Sequence, residues 1–125
     1  MPIRWMSPES LFLSQFSTKS DVWSYGVLLW EIITLGSTPY IGFSAQEVIK
    51  FVKEGGSMEQ PKHCSDQLYA IMKSCWSLDP MERLSFTELR QKLTKMIEFQ
   101  CGYIDLDHFP NNIYYNLYNS PGEKV

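Results

Sequence analysis

The sequence predicts an all-α domain, and three observations carry that prediction. Two capping boxes, Ser44 to Glu47 and Ser85 to Glu88, each open a run of apolar residues at helical spacing. The stretch Ser20 to Gly36 is apolar at most positions, and its apolar residues run around the whole helix circumference. No convincing period-2 strand pattern and no internal repeat occurs.

Ser20 to Gly36 is the central pillar of that domain. Val22, Trp23, Tyr25, Val27, Leu28, Leu29, Trp30, Ile32, Ile33 and Leu35 make it apolar all round, so it is expected to be buried on all sides. Ser20 is its predicted N-cap and Gly36 its C′ residue. At roughly 22 Å it is too short to span a bilayer, and Asp21 and Glu31 sit within it. An acid at the head of a buried helix is expected to cap something.

The other elements follow in chain order. Ser7 and Pro8 start a short helix as N-cap and first helical residue. Leu13 to Lys19 reads as a polar loop, and Ser37 to Phe43, with Pro39 and Gly42, as another. Behind the Ser44 box, Val48, Ile49 and Val52 form an amphipathic stripe that Gly55 and Gly56 stop. A helix from about Ser65 carries Leu68, Ile71, Met72 and Cys75 on one face, and Trp76 closes it. Ser77 to Leu84 is a loop with Asp79, Pro80 and Arg83. The last helix presents Leu89, Leu93, Met96 and Ile97, with Glu88 and Lys92 as a favourable pair one turn apart. Periodicity ends near Gln100, and residues 101–125 read as a flexible, tyrosine-containing tail.

Bulk composition sets limits on function. The 125 residues allow one domain at most, and 44% apolar with 14% aromatic residues are ample for a core. Eleven basic and fourteen acidic side chains give a net charge of −3, with no electrostatic footprint for nucleic acid. No signal peptide or transmembrane run is recognisable. Cys64, Cys75 and Cys101 form no C-x-x-C pair and read as reduced thiols rather than disulfides or zinc ligands. His63 and His108 lie far apart in predicted loops. There is no glycine-rich phosphate loop and no catalytic constellation, so pattern alone stops at a helical domain with a tail.

The motifs go further. Pro2-Ile3-Arg4-Trp5-Met6-Ser7-Pro8-Glu9 resembles the end of the activation segment of a protein tyrosine kinase. In register behind it, Ser20-Asp21-Val22-Trp23-Ser24-Tyr25-Gly26 resembles the start of that family's helix F. Leu35-Gly36 through Pro39-Tyr40 and Gly42 resembles the loop that follows. Cys75-Trp76 and Asp79-Pro80 with Arg83 resemble the end of helix H and the loop into helix I. The resemblance covers residues 2 to about 99. Trp5 and Met6 before the Pro-Glu pair favour the tyrosine class over the serine/threonine class. Tyr103-Ile104-Asp105-Leu106 is similar to the tail of receptor kinases of the fibroblast-growth-factor and RET type.

The resemblance implies a helical C-lobe portion, helices F to I, of the protein kinase fold. Residues 1–100 would be a partial kinase domain and 101–125 its cytoplasmic tail. Met1 reads as an internal methionine or as the start of a truncated product. The parent would transfer the γ-phosphate of ATP to protein tyrosine, with magnesium, at the cytoplasmic side of the plasma membrane, and would dimerise on ligand binding. The glycine-rich loop, the lysine–glutamate pair, the catalytic aspartate and asparagine and the metal-binding aspartate that such chemistry needs are absent here. This chain alone is therefore expected to hold no cofactor and to transfer no phosphate. The competing readings are a non-catalytic interaction module and a piece of a pseudokinase.

The resemblance also assigns residues. Pro2, Ile3, Arg4, Trp5 and Met6 would be the substrate-positioning loop, holding a tyrosine substrate's backbone away from the catalytic base and stacking on its phenol ring. Arg4 would face the substrate or simply be solvated. Glu9 and Arg83 would form a buried ion pair; the alternative is two separate surface charges. Asp21 would anchor the catalytic loop, or be a plain helix-start carboxylate. Trp23, Trp30 and Trp76 read as core. Tyr103, Tyr114, Tyr115 and Tyr118 are candidate phosphotyrosines, and Tyr114 with Asn116 two later resembles a motif read by adaptor domains; the alternative is an ordinary tail. Three positions depart from the receptor pattern: Ile41 and Leu84 where proline is usual, and Ser57 where arginine is.

Overall fold

Serine side chains start the helices. In a computed structural model that describes residues 2–103, α1 (Pro8–Leu13) begins where the Ser7 hydroxyl accepts the Ser10 N–H and Pro8 occupies the first turn. α3 (Ala45–Lys53) opens with a full capping box. The Glu47 N–H donates to Ser44 Oγ at 3.2 Å, and the Ser44 N–H donates to Glu47 Oε1 at 2.8 Å. α4 (Asp66–Ser74) starts from Ser65. α5 (Phe86–Tyr103) starts with the same exchange between Ser85 and Glu88, at 3.1 and 3.0 Å. No strand occurs among the described residues.

The pillar helix, α2 (Thr18–Ile33), differs from expectation at both ends. Its N-cap is Ser17, not Ser20. Ser17 Oγ accepts the Lys19 and Ser20 N–H groups, while Ser20 Oγ accepts the Ser17 N–H at 2.6 Å. This is a capping box with serine in place of the usual glutamate or glutamine, so part of the predicted Leu13 to Lys19 loop is helical. Asp21 lies in the first turn, and among the described residues its carboxylate caps no N–H group; the serine pair meets that end instead.

At the other end, the left-handed C′ position falls on Leu35 (φ +60°) rather than on Gly36. The Gly36 N–H donates to the Glu31 carbonyl at 2.8 Å and the Leu35 N–H to Ile32 at 3.1 Å, a Schellman pair. α3 ends by the same device, but there the C′ residue is Gly55 (φ +88°), with Gly56 bonded to Phe51 at 2.9 Å. α5 runs on to Tyr103, past Gln100 where periodicity fades, so the first three residues assigned to the tail are helical.

The pillar is buried on one side, not on all. Val22, Trp23, Gly26 and Val27 are buried, whereas Leu28 is 47% and Ile32 58% exposed. These two belong to a face that no described part of the chain covers. On the buried side α2 packs on α4. A Cβ added at Gly26 would lie 2.7 Å from both Cys75 Cβ and Trp76 Nε1, so only glycine permits this approach. Trp23, Val48, Val52, Met72 and Leu89 complete the core. The free Cys75 thiol is sealed within it and burial pushes its pKa up to about 12.

The chain divides into two compact units, Met1–Lys92 and Leu93–Val125. Of the second, the structure describes only the remainder of α5. No helix among the described residues is long and apolar enough to cross a membrane.

Candidate functional site

The site is built on Arg83, which is 2% exposed at the end of the 3-10 turn Pro80–Glu82. Such a buried guanidinium must have its donors met. Nη1 and Nη2 donate to Glu9 Oε2 and Oε1 at 2.7 and 2.8 Å, a bidentate pair. Nη1 also donates to the Lys19 carbonyl at 2.9 Å, and Nε to the Ser77 carbonyl at 2.8 Å. Its planar group lies 5.1 Å from the Trp23 ring centroid. Lys19 Nζ answers by donating to the Arg83 carbonyl at 2.7 Å. One side chain thus joins α1, the start of α2 and the segment after α4. Burial raises the pKa of Glu9, but the hydrogen bonds and charge of Arg83, with help from Ser7 and the backbone, leave it below the ordinary carboxylate value.

The segment just before α1 is the predicted substrate-positioning loop. Ile3–Trp5 form a 3-10 turn in which the Trp5 and Met6 N–H groups donate to the Pro2 and Ile3 carbonyls at 3.0 and 3.1 Å. Arg4 is half-buried. It turns onto the loop after α2, where Nη1 donates to the Pro39 and Tyr40 carbonyls at 2.8 and 3.0 Å, and Nη2 to the Phe43 carbonyl at 2.6 Å. That loop is bent sharply, with Tyr40 at φ +53° and Gly42 at φ +85°. Tyr40, Phe43 and Phe51 pack beneath it, with ring centroids 5.2 to 6.4 Å apart. Burial pushes the Tyr40 phenol up to about 12.

Trp5 is fixed to α2 at two points. Its carbonyl accepts the Ser24 hydroxyl at 2.7 Å, and its indole N–H donates to Glu31 Oε1. Pro2 is exposed, while Ile3 and Met6 are half-buried. Asp21 stands exposed on α2, and among the described residues its carboxylate accepts no hydrogen bond. Trp23 and Trp76 are buried, with indole nitrogens that find no partner among the described residues. Trp30 is half-buried and donates to the Glu59 carbonyl at 3.0 Å. Tyr103 is the last residue of α5; Tyr114, Tyr115 and Tyr118 lie outside the described residues.

Sequence reasoning missed two contributors, Ser24 and Glu31. Glu31 did leave a signal: it is the lone acid in the long apolar run behind Asp21. The partners of Arg4 left none, because three backbone carbonyls 35 to 39 residues away have no side-chain pattern.

Comparison with known proteins fits this geometry. The family pattern described as protein tyrosine and serine/threonine kinase matches residues 1–93. Tyrosine kinase receptor Cad96Ca of Drosophila melanogaster is 51% identical over 125 residues, all of this chain and 16% of that protein. Tyrosine-protein kinase receptor Tie-1 of Danio rerio is 45% identical over 114 residues, 91% of this chain and 62% of its own length. Fibroblast growth factor receptor 1 of Xenopus laevis is 43% identical over 116 residues, 91% of this chain and 14% of the receptor. The chain thus spans less than two thirds of each of these relatives. With the kinase pattern covering the helical unit from its first residue, and receptor tyrosine kinases aligned along nearly the whole chain, this protein belongs to the protein tyrosine and serine/threonine kinase family, as a helical C-lobe portion of the kinase domain.

Proposed function

We propose that this chain is the substrate-positioning and structural part of a receptor tyrosine kinase whose parent transfers the γ-phosphate of ATP to protein tyrosine. Residues 2 to 6 guide the substrate, Glu9 and Arg83 tie that segment to the helices, and Asp21 anchors the catalytic loop of the parent. Residues 1–100 belong to the kinase domain and 101–125 to its tail, where phosphorylated Tyr103, Tyr114, Tyr115 or Tyr118 would recruit phosphotyrosine-reading adaptors. The parent dimerises on ligand binding and presents this segment at the cytoplasmic side of the plasma membrane. The observation that carries the reading is the tethering of the Ile3–Trp5 turn. Arg4 grips three carbonyls, Trp5 is held twice by α2, and the helix that follows is bonded to buried Arg83. Such a segment is preorganised, as a positioning element must be.

ATP and magnesium belong to the parent. This chain's residues do not fit them: the sequence has no glycine-rich phosphate loop, and among the described residues no group of three or more His, Cys, Asp or Glu could hold a metal ion. The test is calorimetry of the purified chain with magnesium-ATP, followed by assay of a tyrosine peptide. The expected result is no saturable heat and no phosphopeptide. Saturable nucleotide binding or transfer by the chain alone contradicts the proposal.

A further inference from the structure

We propose that the loop Pro39–Phe43 is a three-carbonyl cation site which Arg4 fills from within the chain, and that this occupancy straps the Ile3–Trp5 turn to the start of α3. The Pro39 and Tyr40 carbonyls both accept from Arg4 Nη1, at 2.8 and 3.0 Å, and the Phe43 carbonyl accepts from Nη2 at 2.6 Å. Three oxygens from one short loop thus meet on one guanidinium. The loop that presents them is bent at Tyr40 (φ +53°) and at Gly42 (φ +85°). A left-handed backbone costs glycine almost nothing, but it is unfavourable for Tyr40, which carries a Cβ, so other contacts must hold it there. Ring packing against Phe43 and Phe51 fixes the Tyr40 side chain, and the Phe43 N–H donates to the Tyr40 carbonyl at 3.0 Å. Arg4 fixes the carbonyls on either side of that bond.

The charge of Arg4 fits this role. Arg4 is half-buried, yet the ion pair found among the described residues is that of Arg83 with Glu9. A partly desolvated cation without a carboxylate is unfavourable unless other acceptors meet it, and here the carbonyl dipoles do so through charge-assisted bonds. The need is mutual, because carbonyls crowded together and partly buried are left unsatisfied when the guanidinium goes. The two ends of the contact lie in different elements. Arg4 is the middle residue of the turn, and Phe43 directly precedes Ser44, the N-cap of α3. Val48 and Val52 seat that helix in the core. Opening the turn or unwinding the loop therefore breaks the same three bonds, so the two segments open together. The strap does not depend on what the turn binds.

The experiment is amide hydrogen exchange, resolved residue by residue by NMR, on the parent kinase and its Arg4→Ala variant. Exchange at Phe43 and Ser44 in the loop, and at Trp5 and Met6 in the turn, is expected to quicken together by about tenfold. Exchange at Glu88, held in the capping box of α5, is expected to stay as it is. Guanidinium chloride added to Arg4→Ala far below denaturing concentration should slow exchange again in both segments. Urea, of similar shape but uncharged, should not. If Arg4→Ala does not fold, Arg4→Lys serves in the same comparison, since a single ammonium cannot reproduce the planar fork. Its loop and turn amides should again quicken together. Unchanged exchange at Phe43 and Ser44, quickening in the loop without the turn, or an equal rise at Glu88 overturns the strap. Failure of guanidinium to restore protection, or equal restoration by urea, overturns the cation site.

Discussion

At Glu9 the cost of burying a carboxylate is outweighed by the guanidinium that meets it. Burial alone would raise its pKa; the Arg83 bonds bring it below 4.5, the ordinary glutamate value here. A carboxylate with a lowered pKa in the folded state adds stability above that value, and the stability is lost as pH falls through the lowered pKa. The thermal midpoint of the parent kinase should therefore drop on acidification below pH 4.5, and less steeply in Glu9→Gln. Glu47 and Glu88, also lowered by their capping boxes, contribute to the slope that remains. An identical slope in Glu9→Gln would show that Glu9 does not titrate this way. Leu35 presents the opposite case, a large side chain 93% exposed on a left-handed backbone. Since that conformation costs a branched residue about 1–2 kcal/mol and glycine almost nothing, Leu35→Gly should stabilise the fold by up to about 1 kcal/mol once the extra freedom of unfolded glycine is subtracted. Denaturant midpoints read this directly; a loss of stability would mean that the Leu35 side chain has a packing role in the parent.

Among the elements, the crossing of α2 over α4 at Gly26 tolerates least. A methyl group there meets Cys75 and Trp76 at 2.7 Å, and both are buried. Gly26→Ala should destabilise by about 1–3 kcal/mol, although alanine is the better helix former. A neutral or stabilising result in chemical denaturation would place the two helices farther apart than described. Helix starts were the most legible feature of the sequence, because a serine followed three residues later by glutamate is a local signal with a local cause. Ser17 escaped because its reciprocal partner is another serine. The end of α2 was misread by one residue, since Gly36 advertises the left-handed position that Leu35 in fact occupies.

On the scale of the whole molecule, composition misled about the pillar. Apolar residues around the full circumference argued for burial on every side, yet Leu28 and Ile32 stay exposed. A sequence shows what a helix face can bury against but not whether the covering residues belong to the same stretch of chain. The kinase motifs were legible because their order and spacing are long-range information. The contacts of Arg4 and Trp5 were not, because carbonyls and helix faces brought together by folding leave no local mark. The central structural claim is that one ion pair, bridging residues 74 apart, holds the segment before α1 to the helices behind it. Its most direct test is a double-mutant cycle on Glu9 and Arg83, read by chemical denaturation of the parent kinase. Arg83→Ala and Glu9→Ala should each cost about 3–5 kcal/mol, because each leaves a charge buried without its partner, and the double variant should lose clearly less than their sum. Strict additivity of the two losses would contradict the pair and the account built on it.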